Sequence, residues 1–206
     1  MTLQDEFGNI DIYLFDQLLR DRLRVGMRVL DAGCGGGRNL VYLLRHRFDV
    51  WAIDADPDAV ASVRHLFTTL APSLRGDRVR LEPVERCSFD DRSFDMVISN
   101  AVLHFAESDA QFEAMVGEMW RVLVPGGVFF CRLASSIGLS GAQPLGDNRF
   151  LLPDGSERYL VSAERLLMLT ERLGGVLLDP LKTTLVHEQR SMTTWVVGKR
   201  PAGEAI

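Results

Sequence analysis

Four of the five residues from Gly33 to Gly37 are glycine, within the run VLDAGCGGGRN (29–39). Glycine loses more backbone freedom on folding than any other residue. Such a cluster therefore marks a place where the chain turns left-handed or where another group lies against it. A β-carbon at a left-handed position costs roughly 1–2 kcal/mol before any clash. One glycine suffices for a tight turn; four predict a ligand resting on bare main chain. A carboxylate, Asp54, ends the next apolar run, VWAID (50–54). There it can accept hydrogen bonds from both hydroxyls of a ribose, and charge-assisted bonds contribute about 1.5–3 kcal/mol each. Asp56 and Pro57 already supply the cap and first turn of the following helix, which leaves Asp54 for a ligand. Both marks suit an adenosine-type cofactor. The dinucleotide fingerprint needs Gly or Ala at its sixth position, where Arg38 stands. Asp31, two residues before Gly33, would repel a pyrophosphate and suits a cationic amine or sulfonium.

His104 is the one candidate general base, because an unperturbed histidine titrates near neutral pH; a packing histidine is the competing reading. His46, His65 and His187 have no partner pattern. Cys34 reads as a small loop residue rather than a nucleophile. Cys34, Cys87 and Cys131 form no CxxC pair, which argues against a disulfide scaffold and a zinc site, so no metal is expected. Arg149 and Arg158 are candidate contacts for an anionic substrate group, with solvated arginine as the alternative, and Arg190 is similar. Met115 and Met119 read as core.

These residues need elements to hold them. Apolar groups at Ile10, Leu14, Leu18 and Leu19, with Phe15 and Leu23, predict an amphipathic helix over 10–24. Short strands are expected at 28–31, 50–53, 79–81, 94–99 and 128–133. Helices over 39–47, 57–70 and 110–123 fall between them. Pro125-Gly126-Gly127 stops the last of these. The alternation predicts a parallel sheet with helices on both faces. Residues 135–160 are rich in Gly and Pro, read as a long connection of the kind that forms lids. A helix over 163–173, a strand from Val176 to Leu178 or on to Thr184, and a strand over 192–198 follow; the last two suit an antiparallel, hairpin-like pair. The fold class is thus α/β, a doubly wound Rossmann-like sheet of seven strands, mostly parallel, with an antiparallel C-terminal strand. One domain spans 1–206: a helical cap (1–25), a ligand-binding core (26–134), a lid (135–161) and a closing helix with strands (162–206).

With 206 residues, 47% apolar, the chain can bury a substantial core. The formal charge of -5 and the lack of a basic stripe argue against general nucleic-acid binding. No apolar run reaches the 18 residues of a membrane span, and MTLQDEFGNI has no signal-peptide pattern. A cytoplasmic location is expected.

Four stretches together resemble class I S-adenosylmethionine-dependent methyltransferases. VLDAGCGGGRN is similar to their glycine-rich first motif and AIDAD (52–56) to their acidic second motif. FDDRSFDMVISNAVLHF (89–105) resembles the stretch around their fourth strand. MWRVLVPGGVFFCRLA (119–134) is similar to the helix, turn and fifth strand. LPDGSERYLV (152–161) with the later KTT and MTTWVV resembles small bacterial members, the tellurite-resistance type (methyltransferase domain 11/25-like) among them. The resemblance implies a cofactor, S-adenosylmethionine, with S-adenosylhomocysteine as product. It implies that Asp31, Ala32 and Gly33 line the methionine part, with Asp31 near its amine, and that Cys34, Gly35 and Asn39 also bind the cofactor. Asp54 would hold the ribose and Ala55 the adenine. Asn100 and Ala101 would approach the methionine through backbone groups, and Arg38 its carboxylate. The adenine-contacting acid of related enzymes falls near Pro83; Glu82 or Glu85 substitutes, and Glu85 is preferred. Tyr13, on the N-terminal helix, has two readings: closing over the site or simple packing.

The implied reaction is in-line methyl transfer to a small-molecule nucleophile. Positioning can lower a barrier by roughly 7–11 kcal/mol, so a general base is optional. NAVL (100–103) replaces the Asn/Asp-Pro-Pro-aromatic step of nucleobase methyltransferases, which argues for a small molecule under a cover formed by 135–160 and the N-terminal helix. A monomer or homodimer is expected, without nucleic acid or membrane. Two other readings are a non-catalytic S-adenosylmethionine-binding module and an NAD(P)-dependent oxidoreductase, the latter disfavoured by Arg38.

Overall fold

The computed structural model describes residues 2–74, 77–201 and 203; the remaining positions of the span 1–206 lie outside the described residues. The N-terminal segment forms two short helices, α1 (Leu3–Phe7) and α2 (Ile12–Leu19). The expected single helix over 10–24 is shorter because Asp11 caps α2, its side chain accepting the Tyr13 amide at 2.9 Å. The core then alternates: β1 (Arg28–Ala32), α3 (Leu40–Arg45), β2 (Asp49–Asp54), α4 (Pro57–Leu70), β3 (Val79–Leu81), β4 (Phe94–Asn100), α5 (Asp109–Val122) and β5 (Leu123–Ala134). Single turns of 3₁₀ helix sit at Val84–Arg86 and Leu103–Phe105. Asp56 caps α4 by accepting the Asp58 amide at 2.9 Å, and Pro57 lies in its first turn, as expected.

Residues 135–160 hold three short strands rather than an open loop: β6 (Gln143–Gly146), β7 (Arg149–Leu151) and β8 (Glu157–Tyr159), paired in that order as an antiparallel meander. The chain ends with α6 (Ala163–Arg172), β9 (Gly175–Leu177), β10 (Lys182–Val186) and β11 (Arg190–Lys199). Asp179-Pro180 separates β9 from β10, so the strand expected from Val176 does not run through to Thr184.

The large sheet has the order β10-β11-β5-β4-β1-β2-β3, with β9 pairing a second stretch of β11, giving eight strands among the described residues. Strands β1 to β5 are parallel, and β11 runs against β5, with Trp195 opposite Cys131. Strand order reverses between β1 and β4. Successive side chains of a strand point to opposite faces, and both faces here are covered. Leu30, Ala32 and Val97 pack toward α5 and α6 through Phe112, Met115 and Leu166. Val29, Met96 and Ile98 pack toward α3 and α4 through Leu40, Leu43 and Val63, with Leu14 of α2. A parallel sheet buried on both sides explains why its strands read as near-continuous apolar runs. Tyr159 anchors the meander: it is 1% exposed and stacks on Phe112 at 4.6 Å, with its hydroxyl on Asp109.

Candidate active site

A cleft of about 420 Å³ opens at the carboxyl ends of β1, β2 and β4, the place where open α/β sheets take ligands. The loop after β1 forms its floor. A β-carbon on Gly35 or Gly36 would meet no atom within 4 Å, whereas one on Gly33 would stand 2.5 Å from Val102 Cγ2 and one on Gly37 2.6 Å from Leu66 Cδ1. The four glycines divide their work. Gly35 and Gly36 keep the floor bare, while Gly33 and Gly37 let Val102 and α4 pack close. Gly33 lines the cleft together with Gly35 and Gly36, so it serves both the packing and the floor, while Gly37 serves packing.

Asp54 ends β2 on the cleft wall. Its Oδ2 accepts the Gly35 amide at 2.7 Å and its Oδ1 the Asp56 amide at 2.9 Å. The side chain is braced to the loop rather than free, and each carboxylate oxygen keeps a further lone pair. Ala55 lies beside it. Asp31 lies beneath the loop, 1% exposed, with Oδ2 unpartnered among the described residues. Burial and then the Asp54 charge raise its carboxyl to about 7, against the pull of Arg38. Ala32 is fully buried, and like Asp31 it does not line the cleft. Cys34 lines it, but burial and then Asp31 and Asp54 push its thiol far above the usual range. The thiol is inert at neutral pH, in line with its reading as a small residue.

Of Glu82 and Glu85, Glu85 reaches the cleft and accepts Gln111 Nε2 at 2.9 Å. Glu82 turns instead to the Ser88 amide and hydroxyl at 2.8 and 2.6 Å. Pro83, Val84, Val102, Phe105, Gln111 and Met115 also line the cleft. None of them was expected as a site residue, and Met115 serves both core and cleft.

A network that spans most of the chain holds the far wall. Arg38 Nη2 donates to Asn100 Oδ1 at 2.7 Å and stands 3.6 Å from Asp11 Oδ2. Asp11, 5% exposed, also takes Arg132 Nη1 at 2.9 Å, and its amide donates to Asn39 Oδ1 at 3.0 Å. Asn100 Nδ2 and Arg132 Nε have no acceptor among the described residues. Asp11 and Arg132 were missed in the sequence. Their signals were a helix-cap aspartate and one charge inside the apolar strand FFCRLA (129–134). Ala101 follows with φ +64, a left-handed backbone that is unusual for alanine. Tyr13 does not close over the cleft. Its hydroxyl pairs with Thr184 Oγ1 at 2.8 Å, and Arg132 lies 5.1 Å above its ring.

A second cavity of about 370 Å³ adjoins the cleft and shares Arg38 and Ala101 with it. His104 and Arg158 line it. Arg149 lines neither cavity and pairs with Glu157. His104 Nδ1 accepts the Ala134 amide at 3.3 Å. A ring nitrogen that accepts carries no proton, so the neutral imidazole bears its proton on Nε2. Burial and then Arg158 hold its pKa down at about 4. With Nδ1 taken by that amide and its pKa held down, the neutral ring offers Nε2 as a hydrogen-bond donor, which weighs toward the packing reading of His104 and against the general base.

Comparison with known proteins agrees with this geometry. A family profile described as "Methyltransferase domain" matches residues 30–131. An uncharacterized methyltransferase of Synechocystis is 32% identical over 117 residues, which cover 56% of this chain and 51% of that protein. A ubiquinone biosynthesis O-methyltransferase of Chelativorans is 28% identical over 198 residues, covering 88% and 74%. The chain thus spans about half the length of the first relative and three quarters of the second. A crystallised SAM-dependent methyltransferase from Methanosarcina mazei superposes with a TM-score of 0.72 at 18% identity, covering 89% of this chain and 97% of that one; this shows a shared fold. The motif-bearing core, which matches a methyltransferase domain, and the shared sheet order support the class I S-adenosylmethionine-dependent methyltransferase superfamily.

Proposed function

We propose that this chain is a methyltransferase that holds S-adenosylmethionine in the 420 Å³ cleft and admits a small-molecule acceptor through the adjoining cavity. The carrying observation is the cleft floor: main chain at Gly35 and Gly36 with no atom within 4 Å above it, flanked by the braced Asp54. Two buried polar atoms without partners, Asp31 Oδ2 and Asn100 Nδ2, support the same reading. An unsatisfied buried group costs about 1–3 kcal/mol, and a ligand with an ammonium and a carboxylate would satisfy an acceptor and a donor. The residues present therefore fit the cofactor.

When bound, S-adenosylmethionine supplies a methyl group activated by its sulfonium. The rest is positioning by the chain. Asp54 accepts from the ribose with the lone pairs its two amides leave. The Asp31 carboxyl, buried just beneath the glycine loop, draws the amine toward that loop by its charge rather than from the cleft lining, and Glu85, fixed by Gln111, faces the adenine end. Asn100 and Arg38, tied to each other, hold the methionine end. Ala101 and Val102 form the wall between the two chambers. His104 contributes an Nε2 proton to the acceptor's side rather than removing one. Such ordering of two reactants can replace a base in lowering the barrier.

Calorimetry with S-adenosylhomocysteine and NAD tests the reading. Binding of the first and not the second is expected; NAD binding without S-adenosylhomocysteine binding would overturn it. Turnover against a small-molecule panel then separates an enzyme from a non-catalytic binding protein.

A further inference from the structure

The cavity beside the cleft carries an unusual charge. Arg38, Arg132, Arg158 and Arg190 line it, and among the described residues no aspartate or glutamate does. The remaining lining comprises His104, Ser191 and small or apolar groups such as Leu152 and Met192. Two carboxylates stand behind the four guanidinium groups. Asp11 serves both Arg132, at 2.9 Å, and Arg38, at 3.6 Å. Asp154 lies 3.6 Å from Arg190 Nε. Arg158 has no carboxylate within ion-pair distance among the described residues; it stacks on Phe105 at 4.9 Å and donates to the Glu157 carbonyl at 2.6 Å. The lining is therefore left with an excess of two positive charges in a chain whose formal net charge is -5. Like charges gathered around one cavity repel each other, and a bound anion relieves that repulsion. The guanidinium fork also matches the two oxygens of a carboxylate or phosphate.

We propose that the acceptor is an oxyanion-bearing small molecule, a carboxylate or a phosphate ester, seated in this cavity by Arg158 and Arg190. His104 adds an Nε2–H donor to the same space, since its Nδ1 is occupied by the Ala134 amide. The apolar lining from Leu152 and Met192 suits a ring or short chain behind the charged group. About 370 Å³ is within the size range of small-ligand sites. The oxyanion stays bound to arginine while a separate nucleophilic atom of the same molecule reaches past Ala101 into the cleft and attacks the methyl carbon opposite sulfur; the C–S bond breaks as the new bond forms, S-adenosylhomocysteine leaves with the electron pair, and the nucleophile's proton passes to solvent. This inference rests on the methyltransferase reading for what the bound molecule is for, but not for whether it binds.

The test uses the full chain, with and without saturating S-adenosylhomocysteine. Benzoate, phenyl phosphate and uncharged benzamide are titrated in each state. Benzoate or phenyl phosphate is expected to bind at least tenfold more tightly than benzamide, and the stronger of the two identifies the oxyanion. Arg158→Gln should weaken that anion about tenfold, and Arg158→Lys should restore part of the loss. Arg190→Gln, at a side chain 62% exposed, provides the same comparison where folding is not at stake. Benzamide binding as tightly as the anions, no binding by either anion, or anion affinity unmoved by both arginine variants would overturn the proposal. Failure of S-adenosylhomocysteine to bind, with anion binding intact, would instead overturn the methyltransferase reading and leave the anion site standing.

Discussion

Gly36→Ala separates what the loop does for the fold from what it does for a ligand. The Gly36 backbone lies outside the left-handed region, and its β-carbon would meet no atom within 4 Å. At such a site Gly→Ala stabilises a protein by about 0.4–1 kcal/mol, because the unfolded chain loses freedom. For a chain of this size that amounts to a rise in Tm of about 1–4 °C. Gly36 lines the cleft, so a cofactor lying against that stretch of main chain would meet the same methyl group. Inserting a methyl into a packed contact costs about 1–3 kcal/mol, which converts to about 5- to 150-fold weaker binding. The two effects have opposite signs, which no general loss of structure can imitate. Gly33→Ala supplies the contrast: its φ is +79 and the added carbon would lie 2.5 and 2.6 Å from the two methyls of Val102. That variant should be destabilised by about 2–5 kcal/mol, the left-handed penalty plus the clash. Urea unfolding measures stability and calorimetric titration with S-adenosylhomocysteine measures affinity. If Gly36→Ala binds the product as tightly as the parent, no ligand lies on that stretch of main chain and the cofactor reading of the loop fails.

Asp54→Ala should weaken S-adenosylhomocysteine by about 2–3 kcal/mol, the worth of charge-assisted bonds to the ribose; unchanged affinity in titration would remove Asp54 from that contact. Asp31, held near 7 by burial and then by Asp54, is largely protonated at pH 6 and should release a proton when an ammonium binds beside it. Titrations at pH 6 in buffers of different ionisation enthalpy should show that proton for the parent and none for Asp31→Asn. His104, depressed to about 4 from an ordinary value of 6.5, favours its neutral form in the fold, so its contribution to stability is full above pH 6.5 and is lost as pH falls toward 4. Relative to His104→Gln, the parent should lose about 3 kcal/mol over that window; the within-pair comparison keeps the opposite contribution of Asp31 constant, and parallel pH curves would refute the assignment.

The parallel core was legible because each strand there carries a run such as VLDA or FDMVIS, and each helix a cap or an apolar stripe. Residues 135–160 were not. Strands of three or four residues are too short to show alternation, and Pro144, Gly146, Pro153 and Gly155 punctuate them like a loop. The cleft was readable where its residues are local to one motif: the glycine floor, Asp54, Glu85 and Asn100. It was unreadable where partners are distant. Asp11 and Arg132 are separated by 121 positions, and only the folded sheet brings the N-terminal cap onto β5. Gln111 likewise gains its meaning from Glu85, across a strand and two turns. His104 was found as a residue with two readings open, base or packing; its tautomer is set by the Ala134 amide, a backbone group that no side-chain pattern reveals.

The N-terminal stretch matters beyond covering one side of the sheet. A single carboxylate on Asp11, just ahead of its second helix, neutralises a guanidinium on the fifth strand and leans on another at the mouth of the catalytic chambers. Stripping one partner from a buried ion pair typically costs 3–5 kcal/mol. Trimming the first dozen residues, a step that looks harmless from the motif map, would therefore leave Arg132 with a stranded charge and loosen the lining that the two cavities share at Arg38.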